Sequence, residues 1–93
     1  MSKVTIKTIQ SWKNKKKFSA ITAYDFLSAK IVDKSNIPVV LVGDSASMIT
    51  YGYDSTIPIS MDELLLLSRA VARGVETSLV VGDMPFLSYQ HSV

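Results

Sequence analysis

Two stretches decide how this chain folds: Val39-Val40-Leu41-Val42-Gly43-Asp44 and Ser78-Leu79-Val80-Val81-Gly82-Asp83. Each is a short apolar run rich in β-branched residues, the pattern of a strand buried on both faces of a parallel sheet. Each closes in Gly-Asp, which sets a carboxylate just beyond the C-terminal end of a strand. Parallel α/β folds assemble their sites along that edge. A third run, Phe18-Ser19-Ala20-Ile21-Thr22-Ala23-Tyr24-Asp25, also ends in an acid but lacks the glycine. Three strands ending in acids point to one shared site.

The segments around these strands read as helices. Ile6, Ile9 and Trp12 recur every three residues with polar residues between, which predicts a short amphipathic helix from about Thr5 to Asn14. The first strand spans Phe18–Ala23. Phe26, Leu27, Ala29, Lys30, Ile31 and Val32 then predict a helix ending near Asn36, with Asp25 as its N-cap. Ile37-Pro38 leads into the second strand, Val39–Val42. Ser60-Met61-Asp62-Glu63 opens another helix, with Ser60 and Glu63 as capping-box partners and two acids in the positive first turn. Leu64 to Val71 is apolar enough to pack on a sheet, and Arg73-Gly74 closes the helix with a basic last turn and a C′ glycine. Leu79–Val81 is the third strand.

The order is therefore a helix followed by β-α-β-α-β, with right-handed crossovers expected. Residues 44–59 break the economy of that plan. They are rich in turn formers and hydroxyls, and they far exceed the ~2–6 residues usual between a strand and the next helix. Long connections at this side of a sheet tend to carry function. Three strands with two helices also leave apolar surface bare, because a parallel sheet needs cover on both faces. The pattern predicts the first part of a larger α/β protein.

Composition narrows the class. A chain of 93 residues makes one domain, and 47% apolar with 19% charged residues excludes a disordered segment. No apolar run approaches the ~20 residues that span a bilayer, and the N-terminus carries no apolar signal core. The absence of cysteine removes disulfides, thiolate metal sites and cysteine nucleophiles together. A soluble, intracellular protein without membrane partners is expected. Residues 1–17 hold six lysines and no acid, while residues 18–93 carry a net charge of −4. Lys13-Asn14-Lys15-Lys16-Lys17 has the charge of a phosphate-contacting patch but no aromatic ladder or arginine-rich stretch beside it. We therefore read it as a solvated helix end complementing the dipole, with no nucleic-acid partner.

If the strands lie side by side, Asp44 and Asp83 come together at one edge. Two nearby carboxylates repel, and a cation between them relieves that repulsion. Mg²⁺ suits such a pair, since it takes one or two carboxylates and completes its shell with waters and substrate oxygens. The alternative is that each Asp merely caps the helix or turn that follows.

Five motifs in one order and spacing make the chain recognisable. They are Phe18–Asp25, Leu41-Val42-Gly43-Asp44-Ser45, Gly52-Tyr53-Asp54-Ser55-Thr56-Ile57-Pro58, Arg69-Ala70-Val71-Ala72-Arg73-Gly74 and Asp83-Met84-Pro85-Phe86-Leu87-Ser88-Tyr89. Together they resemble the N-terminal third of the ketopantoate hydroxymethyltransferases, over nearly the whole chain. The resemblance implies an α/β fold: the first three β/α units of a (β/α)₈ TIM barrel, incomplete as given. Residues 1–93 would be the N-terminal part of a single barrel domain. Residues 5–14 would form a helix across the barrel's bottom, and residues 18–93 the β-α-β-α-β segment.

It also implies a transferase of pantothenate and coenzyme A biosynthesis. The reaction moves a one-carbon unit from 5,10-methylenetetrahydrofolate to 3-methyl-2-oxobutanoate, giving 2-dehydropantoate. Mg²⁺ would be held by Asp44 and Asp83, and the 2-oxo acid's carboxylate would be met by Ser45 with Asp44 and Asp83 nearby. Family members are cytoplasmic and form homo-oligomers, commonly decamers. No catalytic residue is expected within 1–93. The family's third acid with its lysine, and its glutamate base, match later strands, so this stretch alone is expected to be inactive. Leu66-Leu67-Ser68 departs from the family, which often has a histidine near Leu67.

The remaining polar residues take plainer readings. His91 reads as an ordinary surface residue, and Tyr24 as a pocket-lining candidate. Asp54 reads either as a turn-forming side chain or as part of a lid over substrate. Met48, Met61 and Met84 read as packing residues. Two other readings stand beside the first: another enzyme of the same barrel group, a Mg²⁺-dependent lyase or mutase acting on 2-oxo acids, and, in a different class, a receiver-like signalling domain with a strand-end phosphoacceptor. The receiver needs five strands, more than this length supplies. A truncated copy without function is the non-enzymatic alternative.

Overall fold

The three apolar runs form one parallel sheet in the order β1–β2–β3, with β1 at Ala20–Thr22, β2 at Val39–Val42 and β3 at Leu79–Gly82. The computed structural model describes residues 3–84. Thr22 pairs with Leu41 and Val42 with Gly82, so the C-terminal ends of all three strands lie along one edge. The fold is α/β, as the sequence predicts. The strands differ in burial, however. Val39, Val40 and Val42 are buried, whereas every residue of β1 is exposed and β3 is only half-buried toward its start. The pattern of a strand buried on both faces therefore holds for the central β2 alone among the described residues. β1 and β3 are edges of this sheet.

One pleat makes the core. Val40, Val42 and Val80 pack with Ala23, Ala29, Ala46, Ile59, Leu64 and Val71. The register sets Leu41 beside Val81 on the other pleat, where Val81 is 41% exposed. That opposite pleat is the bare apolar surface expected from the sequence.

Helix α2, Phe26–Lys34, begins where Asp25 caps it, the Oδ1 accepting from the Ser28 N–H at 2.7 Å. Those Ser28 bonds hold the Asp25 carboxyl below the usual range. The helix closes through Ser35 and then Asn36, whose φ of 61° is the left-handed turn that ends a helix. Helix α4, Met61–Gly74, carries the predicted capping box: Ser60 Oγ accepts from the Glu63 N–H at 3.1 Å and Glu63 Oε1 from the Ser60 N–H at 2.9 Å.

Gly74 corrects the sequence reading. It is the last residue of α4 rather than a left-handed C′ residue, and Val75 follows in extended conformation. The reason for glycine is close approach. A Cβ at Gly74 would stand 2.6 Å from the Phe26 carbonyl oxygen and 3.2 Å from the Ala29 Cβ. The two helices lie side by side on one face of the sheet, and this contact lets their backbones meet.

Helix α1, Ile6–Ser11, is shorter than predicted and buries no residue of its own. Thr5 caps it, and Val4 anchors it. Val4 is buried, and its N–H donates to the Thr77 carbonyl at 2.6 Å, just ahead of β3. The helix therefore sits at the N-terminal ends of the strands, opposite the acidic edge. The lysines of residues 13–17 lie beyond its last turn, which holds no basic residue, so they do not complement its dipole as predicted. Instead Lys16 Nζ rests 4.2 Å over the Trp12 ring, which tilts against Phe18 at 5.6 Å.

The same end of the sheet holds Asp33, the one acid buried in the described structure. It lies one helical turn after the buried Ala29, so α2 carries it inward on the same face. Its carboxylate accepts from the N–H groups of Glu76, Thr77 and Ser78 and from the Thr77 hydroxyl, at 2.8–3.0 Å. Burial alone would raise this carboxyl, but the Ser78, Glu76 and Thr77 N–H groups and the Thr77 hydroxyl outweigh it and hold the acid far below the usual range.

Candidate functional site

The β2-to-α4 connection folds on itself. A short helix, α3, spans Ala46–Ile49, where the hydroxyl-rich sequence signals only turns. The fully buried Ser47 donates from Oγ to the Ser55 carbonyl at 2.6 Å, and its own carbonyl accepts from the Tyr53 N–H at 2.9 Å. The Tyr53 hydroxyl donates to Glu63 Oε2 at 3.2 Å, fastening the connection to the start of α4. The Glu63 carboxylate raises the Tyr53 hydroxyl, and the Ser60 N–H lowers Glu63. The turn role weighed for Asp54 belongs to its neighbour: Ser55 Oγ accepts from the Ile57 N–H at 3.3 Å. Asp54 is exposed.

At the acidic edge the structure brings the predicted residues together. The Asp83 N–H donates to the Val42 carbonyl at 2.9 Å, extending the β2–β3 ladder past the end of β3. Asp83 Oδ2 then lies 3.4 Å from the Asp44 N–H, and Oδ1 accepts from the Met84 N–H at 2.9 Å. Asp44 is half-buried and Asp83 exposed. Ser45 follows directly, half-buried, at the N-terminus of α3. The cap reading of the acids is only partly met. The Asp44 main-chain carbonyl accepts from the Ser47 N–H, but the residue at the N-cap of α3 is Ser45, and its side chain makes no cap bond.

Tyr24 joins this group from β1. Its hydroxyl is hydrogen-bonded to Ser45 Oγ, and its half-buried ring packs against the core. The sequence marks it as a pocket-lining candidate at a strand end, without its partner Ser45. Met48, Met61 and Met84, read as packing residues, are each close to half exposed, since they fall at element ends rather than on the inward faces. Leu67 is partly buried and packs against the core. His91 lies outside the described residues.

The donor set decides which ions suit this edge. Among the described residues no group of three or more histidines, cysteines, aspartates or glutamates stands together. Two carboxylates on adjacent strand ends suit a hard, octahedral cation such as Mg²⁺, which keeps waters and takes substrate oxygens. No helix among the described residues is long and apolar enough to cross a membrane.

A parallel three-strand sheet with helices packed on it, and with Asp44 and Asp83 just beyond adjacent strand ends, defines the class: an α/β protein. The particular family follows from comparison with known proteins. Residues 3–93 match the family model for ketopantoate hydroxymethyltransferase, and the chain belongs to that family. A 3-methyl-2-oxobutanoate hydroxymethyltransferase of Staphylothermus marinus is 50% identical over 93 residues, covering all of this chain and 34% of the relative. The Caldicellulosiruptor bescii protein of the same name is 51% identical, covering all of this chain and 36% of its own length. That of Frankia casuarinae is 51% identical over 90 residues, 96% of this chain and 30% of its own. The chain thus spans about a third of the length of the curated relatives it matches.

Proposed function

We propose that the protein carrying residues 1–93 transfers a hydroxymethyl group from 5,10-methylenetetrahydrofolate to 3-methyl-2-oxobutanoate, giving 2-dehydropantoate on the route to pantothenate and coenzyme A. In this reading the described sheet is the opening of a (β/α)₈ barrel, with α1 under its N-terminal end. The full protein is a cytoplasmic homo-oligomer, a decamer in keeping with the family resemblance. The observation that carries the proposal is the meeting of Asp44 and Asp83 at the strand-end edge, with Ser45 beside them, in a chain of this family.

Each residue has a task that its chemistry suits. Asp44 and Asp83 would hold Mg²⁺ from strand ends that the sheet keeps rigid, which positions ligands better than free loops do. Bound there, the cation supplies Lewis-acid stabilisation of charge developing on the 2-oxo acid's oxygens. Ser45 presents its backbone N–H and hydroxyl to the substrate carboxylate. Asp83 is steadied by the Met84 N–H, which donates to its Oδ1. The base that takes the proton from C3 of the 2-oxo acid comes from residues outside 1–93, so this stretch alone turns over no substrate.

The test is direct. The full natural chain, given both substrates, should form 2-dehydropantoate when Mg²⁺ is present and stop when EDTA removes it. Failure to form product under saturating substrates and Mg²⁺ would overturn the proposal.

A further inference from the structure

We propose that Tyr24 is a positioning residue for the 2-oxo acid's carboxylate, acting through Ser45. The inference rests on the reading of Ser45 given above and goes beyond it by assigning the group that fixes it. Tyr24 stands two residues past the end of β1, and the Ala23 N–H continues the ladder to the Leu41 carbonyl at 3.2 Å. Its ring is held by the core that Val40, Val42 and Ala46 share. The hydroxyl is thus delivered by a packed side chain across to the neighbouring strand end, where it meets Ser45 Oγ.

Ser45 is available for this partner because it makes no capping bond. It sits at the N-cap of α3 with φ −59° and ψ −15°, a helical conformation, whereas a capping side chain needs an extended backbone. Ser60 and Asp25, both extended, do cap. The Ser45 hydroxyl would otherwise rotate freely.

The two hydroxyls carry two hydrogens, and their mutual bond uses one. Whichever donates, one O–H remains to be given outward, and its donor oxygen is fixed by the pair. When Tyr24 donates to Ser45, the remaining hydrogen belongs to Ser45 and is strengthened by the bond it accepts. A carboxylate oxygen is the acceptor that such a donor suits beside a cation held by Asp44 and Asp83. The pair thus orients the acid end of the 2-oxo acid without touching its reacting carbon.

A double-mutant cycle in the full natural chain tests this, with Tyr24→Phe, Ser45→Ala and the double variant. Tyr24→Phe removes one oxygen and keeps the core ring, and a thermal melt of each variant checks the fold. The expected result is a rise of roughly tenfold in KM for 3-methyl-2-oxobutanoate in Tyr24→Phe, larger than any fall in kcat, as for loss of the one hydrogen bond that fixes Ser45. The double variant should be no weaker than Ser45→Ala alone. Effects that instead multiply would overturn the proposal. So would a normal KM in Tyr24→Phe beside a raised KM in Ser45→Ala, which leaves the proposed function standing. A wild-type chain that neither binds nor converts the 2-oxo acid overturns both.

Discussion

Asp33 Oδ1 accepts the Ser78 N–H at 2.8 Å, joining the end of α2 to the start of β3 across 45 residues of sequence. With the Glu76 and Thr77 N–H groups on the same carboxylate, this bond fixes where β3 enters the sheet. It therefore also fixes where Asp83 leaves it.

The pH dependence of stability follows from that carboxylate. Asp33 is held below the ordinary range in the folded protein, so its contribution is fully present above the unfolded value of ~3.9 and is lost as pH falls below it. Asp33→Asn should cost roughly 2–3 kcal/mol at neutral pH, since an amide meets N–H donors with its own donor. It should also flatten the acid limb of the stability curve. Denaturant unfolding of the full natural chain from pH 7 down to about pH 2, across the window between the unfolded and the lower folded value, checks both, and an unchanged acid limb would refute the assignment.

Gly74 makes a second prediction. Gly74→Ala removes a flexible residue from a helix, which ordinarily stabilises. Here the new methyl meets the Phe26 carbonyl at 2.6 Å, so α2 and α4 must part. The expected result is a loss of about 1–3 kcal/mol. A thermal melt reads it, and a raised Tm would show that the two helices do not meet as described.

The exposed apolar residues predict the behaviour of the isolated 93-residue stretch. Leu27, Ile31 and Leu66 are about 60% exposed, β1 and β3 have open edges, and Val81 is uncovered on the outer pleat. Such surface promotes association. Size-exclusion chromatography should find the stretch self-associated or aggregated, and a monodisperse monomer with a sharp melt would contradict this.

The sequence shows β2 to the residue and both capped helices closely, because Val39–Val42 and the Asp25 and Ser60 caps are local signals. The acidic pair is legible for the same reason: Gly-Asp closes two apolar runs, and parallel pairing does the rest. What escapes local reading depends on distant partners. Asp33 looks like any charged helix residue until residues 76–78 fold over it, although its place one turn after Ala29 on the inward face is a signal. Gly74 reads as a terminator until α2 lies against it. The Tyr24–Ser45 bond needs two strand ends set side by side, and α3 hides among hydroxyls that favour turns.

The central claim is that Asp44 and Asp83 form one Mg²⁺ site. The most direct measurement is the Mg²⁺ dependence of 2-dehydropantoate formation by the full natural chain, compared with Asp44→Asn and Asp83→Asn. Each substitution should raise the half-saturating Mg²⁺ concentration about tenfold or more, as loss of one charged ligand contact implies. Both should lower the rate at fixed Mg²⁺. A Mg²⁺ dependence unchanged in either variant would contradict the account.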